Sequence, residues 1–389
     1  MTEYKLGDLI KDIAAGPFGS NLKVECFVES GFPIIDGANL KGFKVTDNIT
    51  KFVTEEKARS LHRSIAKRND VIVTISGNVG QIAYIPDNSK YLEYLVSQRQ
   101  FRATFDVTKV DVPFLVYYFH TREGQHKILS FANQVGVPAL AQPLKNFREI
   151  ELELPPIDVQ KRIAGVLSSL DDKIDLLHRE NATLEQMAET LFRQWFVVEA
   201  KEEWEEGKLG DEFDFTMGQS PNGDSFNEEG IGVPMYQGNA DFGFRFPTRR
   251  VFTTQPTRFA EVNDTLISVR APVGAQNMAT ERCCIGRGVA AFRYKDNPSY
   301  YSYTYYKLKS LLEEIRQFND NGTVFGSISK SDFENLDIMI PDDETIEMFQ
   351  KQVKVIDDKI INNNNEIQTL IQTRDGLLPR LMGGEVKIL

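Results

Sequence analysis

The chain has 389 residues, 26% charged and 41% apolar, with a net charge of −11. That length exceeds one typical core and makes two domains the default, and the composition is that of an ordinary globular protein. No apolar run nears the roughly 18 residues of a membrane span, Met1-Thr2-Glu3-Tyr4-Lys5 does not open a signal peptide, and Cys26, Cys283, Cys284 and four histidines suggest neither a disulfide framework nor a metal cluster, so a cytoplasmic, non-membrane protein is expected.

The first part is predicted to be strand-rich. FPIIDGANL (32–40), DVIVTISG (70–77), QIAYIPD (81–87) and QRQFRATFD (98–106) are apolar runs broken by Gly, Asn and Asp. VPFLVYYFHTREGQHKILSF (112–131) reads as a helix, and FREIELELPP (147–156) as an alternating strand. From Pro155 to Phe196 the pattern changes. Ile163, Leu170, Leu177, Leu184 and Leu191 recur every seven residues, flanked by Val166, Leu167, Ile174, Met187 and Ala188. This predicts one long helix with a coiled-coil seam, roughly 60 Å at 1.5 Å per residue, with Asp158 as a suitable N-cap.

After the acidic EAKEEWEEG, the plan returns. VPMYQGNADF (233–242), TLISVRAPVG (265–274) and GVAAFRYKD (288–296) read as strands, SYYSYTYYKLKSLLEEIRQF (299–318) as a helix and NLDIMIPDD (335–343) as a strand. A second seam follows: Phe349, Val353, Ile356, Ile360, Ile367, Leu370 and Leu377, with Asn363 where an apolar residue is expected. The two halves also share short motifs. Leu6-Gly7-Asp8 returns as Leu209-Gly210-Asp211, and Asn69-Asp70 as Asn263-Asp264. Gly136, Phe147 and Asp171-Asp172-Lys173-Ile174 return as Gly322, Phe333 and Asp357-Asp358-Lys359-Ile360, each 186 residues later. Such a repeat decides the architecture. The expected fold class is α+β, with globular domains at 1–154 and 201–341, a central helix at 155–200, and a C-terminal helix and tail at 342–389. A near two-fold duplication makes the two helices antiparallel, forming a coiled coil within the chain.

Catalytic templates are missing. There is no phosphate-binding loop, no dinucleotide fingerprint and no Asn/Asp-Pro-Pro-Tyr, and nothing pairs a nucleophile with a base. The paired Asp171-Asp172-Lys173 and Asp357-Asp358-Lys359 read as solvated helix faces, open to partners. Residues 1–155 carry a net charge of +1 and residues 156–207 one of −6, so nucleic-acid binding is allowed locally but not driven by the overall field. Groove reading uses Arg, Lys, Asn and Gln on polar loops. In the first domain the candidates are Lys23, Asn39, Lys41, Ser76, Asn78, Arg99, Gln100 and Gln134. In the second they are Gln219, Gln237, Asn239, Arg245, Arg249, Arg250, Arg258, Arg270 and Arg287, several within the aromatic and basic FGFRFPTRR.

The duplicated plan, the sequence Leu154-Pro155-Pro156 with Gln160-Lys161-Arg162-Ile163-Ala164, the Asp-Asp-Lys-Ile pair, Leu377-Leu378-Pro379-Arg380-Leu381 and Gly16-Pro17-Phe18-Gly19-Ser20 together carry a resemblance. The chain resembles the specificity subunit of type I restriction-modification enzymes over essentially its whole length. The resemblance implies two target-recognition domains, each reading one half of a split site in double-stranded DNA. It implies helices that space the domains and dock two modification (adenine methyltransferase) subunits, with restriction (translocase–nuclease) subunits joining them. S-adenosylmethionine, ATP and Mg would then belong to those partners, and this chain would hold no cofactor and no metal. The second copy departs at Ile340-Pro341-Asp342 and Glu347-Met348-Phe349-Gln350. A spacer of this kind could set half-sites about one helical turn of DNA apart, roughly 34 Å. The rival readings are a fused enzyme fragment with its own chemistry and a structural coiled-coil protein.

Overall fold

Two sheets packed face to face build each globular domain, and both domains use the same strand orders. In the computed structural model, which describes residues 1–133, 137–318 and 326–386, the first domain has a four-stranded antiparallel sheet in the order Ile10–Ala15, Gln100–Phe105, Val71–Thr74, Ile82–Tyr84. Its second sheet runs Phe27–Val28, Phe52–Val53, Phe32–Ile35, Glu93–Val96, Ile65–Lys67, with one parallel pairing, Ile34 to Leu95. The second domain repeats both orders: Phe213–Met217, Val289–Tyr294, Thr265–Ser268, Gln276–Met278, then Phe226–Asn227, Val251–Thr253, Val233–Tyr236, Cys283–Ile285, Phe259–Ala260. Gly136, Gly322 and the candidate Gln134 lie outside the described residues.

Side-chain alternation explains the layers. Val71 and Val73 face one core, shared with the helix Val112–His120, while Ile72 faces another, shared with Ile35, Tyr94 and Val96 of the second sheet. The repeated Asn-Asp before this strand has a local cause. Asn69 and Asn263 adopt left-handed φ values of 67° and 69°, which Asn tolerates. The following carboxylate then accepts a backbone N–H three residues back, from Lys67 at 2.9 Å and from Glu261 at 2.8 Å.

The expected helix 112–131 is two helices, Val112–His120 and Arg122–Leu129, because Thr121 caps the second through its Oγ1. The expected helix 299–318 likewise divides into Tyr301–Ser310 and Leu312–Gln317. The expected strand 147–156 is shorter, Glu151–Leu154, and pairs with Thr2–Lys5; Pro143–Arg148 before it is helical. In the second domain Glu205–Lys208 pairs with Asp337–Ile340 in the same way.

The central helix runs Ile157–Arg193, closed by a π-helical turn at Gln194–Val198, and the C-terminal helix runs Asp343–Met382. The chain forms two compact units, Met1–Leu176 with Ile367–Leu389, and Leu177–Glu366. Each contains one domain and a stretch of each long helix. In the first unit Ile163, Ala164 and Leu167 share a core with Leu378 and Leu381, and Asp171 meets Arg374. In the second, Asn181 meets Asn363 and Phe192 meets Phe349. The helix stretches are therefore antiparallel within each unit.

The seam is shifted from the expected one. Ile163, Leu177, Phe349, Val353, Ile360 and Ile367 are buried, but Leu170, Leu184, Leu191, Ile356, Leu370 and Leu377 are half-buried flanks. The inner line instead passes through Leu167, Asp171, Ile174, Asn181, Glu185, Ala188 and Phe192. Three of these are polar, and hydropathy alone hides them.

Candidate nucleic-acid interface

Four segments meet at one end of the first domain: the loop after Ala15, the stretch 36–39, the loop 75–81 and the turn 97–100. Gly16 N–H donates to the Gln100 carbonyl at 2.8 Å, Ser97 N–H to Ile35 at 2.9 Å, and Ile75 N–H to Arg99 at 2.7 Å. The approach at Gly16 is so close that a Cβ there would lie 1.9 Å from the Ser97 carbonyl oxygen, which requires glycine. The second domain repeats the joints. Gly218 N–H donates to Val289 at 2.9 Å, Gly286 to Tyr236 at 2.9 Å and Val269 to Gly288 at 2.9 Å; a Cβ on Gly218 would lie 2.2 Å from the Gly286 carbonyl oxygen. The joints are backbone work, so the side chains between them can differ.

These ends collect many of the candidates. In the first domain Lys23, Asn78 and Arg99 are exposed on the converging segments, Lys41 is exposed just past the stretch 36–39, and Ser76 is half-buried in a bridge to Ala139. In the second, Gln219, Gln237, Asn239, Arg258, Arg270 and Arg287 are exposed. The Arg258 carbonyl accepts from Ile285 N–H, and Ser220 Oγ accepts from Arg287 N–H at 3.3 Å, which ties their segments to the same end. Arg249 and Arg250 are exposed too, but pair with Glu281 and Asp241. Asp241 also accepts from Gln237 N–H at 2.7 Å, so Arg250 braces that loop.

Three candidates are buried and need correction. Asn39 is 4% exposed; its Oδ1 accepts from Asp36 N–H and its Nδ2 donates to the carbonyls of Thr46 and Asn48, closing a loop. Gln100 is 2% exposed, held by Ser97 and Thr74 side chains. Arg245 is also 2% exposed. Its Nη1 donates to Glu185 at 3.1 Å and to the Tyr306 hydroxyl at 3.2 Å, its Nη2 to Asp357 at 2.8 Å, and its guanidinium lies 3.4 Å from the Tyr305 ring centre. Burial opposes that charge, but Asp357, Tyr305, Tyr306 and Glu185 outweigh it and raise the pKa well above the ordinary arginine value. Arg245 joins the domain to the helices and does not face solvent.

The same seat in the first unit is built differently. Tyr84 and Met278 end equivalent strands; Tyr84 N–H donates to Phe43 and Met278 N–H to Arg245, so Phe43 takes the place of Arg245. Phe43 packs against Tyr117, 4.5 Å between ring centres with the rings tilted by 42°. The Tyr117 hydroxyl donates to Asp171, and the cation comes from the C-terminal helix, Arg374 to Asp171 at 2.7 Å. The expectation that Asp171 and Asp357 are solvated is thus wrong for both, whereas Asp172 is exposed and Asp358 half-buried, and they pair with Lys44 and Lys354. The signal was present, since each buried Asp stands three residues before the buried isoleucine of the repeated motif, at the spacing of an inner helical position.

A family model described as "Type I restriction modification DNA specificity domain" matches residues 2–186 and 201–373. The chain belongs to this family. It carries two copies of the specificity domain, each with its long-helix segment, and the rival readings find no support. A protein of Methanocaldococcus jannaschii described as an MjaX type I restriction enzyme specificity subunit is 26% identical over 92% of this chain and 88% of its own length. The MjaIX specificity subunit of the same organism is 23% identical over 97% and 93%. The crystal structure of the type I restriction-modification S subunit from M. genitalium covers 98% of this chain and 95% of its own, with a TM-score of 0.60 at 18% identity, and shows the common fold.

Proposed function

We propose that each domain reads one half of a split, asymmetric site in double-stranded DNA, as the non-catalytic recognition subunit of a type I restriction-modification complex in the cytoplasm. The observation that carries this reading is the repeated loop end. Identical backbone joints present Asn78 and Arg99 in one domain, and Gln219, Arg258 and Arg287 in the other. Arg is suited to bidentate contact with guanine, and Asn or Gln with adenine. Different side chains on the same frame read different sequences.

The helices supply docking surface for two modification subunits, with restriction subunits joining that core. Leu176, Met187, Met348 and Val355 are exposed along them, and an open groove of about 550 Å³ in the second unit is lined by Phe192, Val197, Tyr306, Glu189 and Lys309 among others. S-adenosylmethionine, ATP and Mg belong to those partners in this reading.

Methylation mapping of a methylation-free host carrying this chain with its methyltransferase tests the proposal. A two-part, non-palindromic motif is expected. Arg99→Ala should relax base choice in one half only, and Arg287→Ala in the other. A symmetric motif, or variants that alter both halves alike, would overturn it.

A further inference from the structure

Phe18 and Val24 are the most exposed large apolar side chains among the described residues, 83% and 82% accessible, and both belong to the loop 16–26. Isolated exposed apolar residues are ordinary on protein surfaces. Two on one short loop, with Lys23 beside one of them, form a presented surface. The loop itself is well held. Pro17 and Leu22 are buried beneath it, Gly16 is bonded to Gln100, and Asn21 N–H donates to the Phe18 carbonyl at 2.8 Å. A Cβ on Gly19 would lie 2.8 Å from Gln98 Oε1, so the loop lies against the turn that displays Arg99. An aromatic ring is thus held outward on a firm support, among the cations and amides of the candidate DNA-reading end.

Resting on the reading of this end as a DNA reader, we propose that Phe18 is a wedge that enters between adjacent base pairs of the first domain's half-site and unstacks one step. Apolar side chains open base steps in this way while neighbouring cations hold the phosphates. At the equivalent place in the second domain no described residue is a counterpart. Two residues beyond Gly218 stands Ser220, and the 3-10 turn Gly223–Ser225 stands where Val24–Cys26 stands in the first. The distortion is therefore confined to one half of the site.

The test uses the full chain assembled with its methyltransferase subunits, on duplexes of the mapped motif carrying 2-aminopurine at successive positions. Leaving out the target adenine of each half and its neighbours, which the methyltransferases unstack by flipping, the wild type should brighten the probe at one further step, in the first domain's half only. Phe18→Ala should abolish that signal and weaken binding roughly tenfold, with Phe18→Trp retaining both. Phe18 is exposed, so its replacement does not threaten folding. If Arg99→Ala weakens binding while Phe18→Ala changes neither signal nor affinity, the wedge is refuted and the DNA-reading end stands. If Arg99→Ala is silent, the reading beneath the proposal fails and the proposal with it. Loss of subunit assembly with Phe18→Ala, at unchanged DNA affinity, would instead place the loop against the methyltransferase and overturn the proposal.

Discussion

A guanidinium removed from water holds the second domain on its helices, and the energetics of Arg245 follow from that. Glu185 and Asp357 are both buried, so Arg245→Met takes from Asp357 its cation and leaves Glu185 with Lys309 alone, 2.5 Å away. Breaking a buried ion network in this way costs about 3–5 kcal/mol, readable by urea denaturation. Replacing all three with Met, Leu and Leu should recover most of the loss, because apolar side chains need no compensation. A pH dependence accompanies this. Burial already raises the Asp357 pKa, with Arg245 opposing the shift. Without Arg245 it rises further, and a raised acid pKa favours the folded state below the unfolded value and penalises it above. The deficit should therefore narrow as pH falls towards the ordinary 3.8. Little of this was legible in the sequence. FGFRFPTRR mixes aromatic and basic residues as a DNA-contacting loop would, and nothing local distinguishes the buried arginine from the two exposed ones.

At the scale of the helices, heptad spacing located both elements but misplaced their inner line, since Asp171, Asn181 and Glu185 occupy positions that a search for apolar residues passes over. The exception was Asn363, whose polarity in a seam was visible at once. Asn363 Nδ2 donates to Asn181 Oδ1 at 2.9 Å and to Glu180 at 3.0 Å, so one buried amide is matched by another. Such pairs set register in coiled coils at some expense in stability. Asn363→Leu should destabilise by about 1–3 kcal/mol, because Asn181 is left buried with an unmet acceptor. The double Asn181→Leu/Asn363→Leu variant should return to wild-type stability or exceed it. Thermal denaturation of the single and double variants measures both, and a double variant no better than the single would refute the pairing.

For the whole molecule, the duplication was legible because the helix motifs recur at a fixed offset, while the reading loops were not, because their side chains differ between copies on a shared backbone frame. A chain with a net charge of −11 meets a polyanion with no long-range attraction. Alone it should bind its target at roughly micromolar strength or weaker, and tightly only with its methyltransferase subunits. Nanomolar site-specific binding by the isolated chain in a gel shift would contradict this. The exchange of Phe43 for Arg245 has a bearing on recombination between relatives. A chimera that swapped the two domains would seat a phenyl ring over Glu185 and Asp357, and bring a second guanidinium to Arg374. Each domain is keyed to its own socket, and an incoming module transplants cleanly only if it carries the matching key.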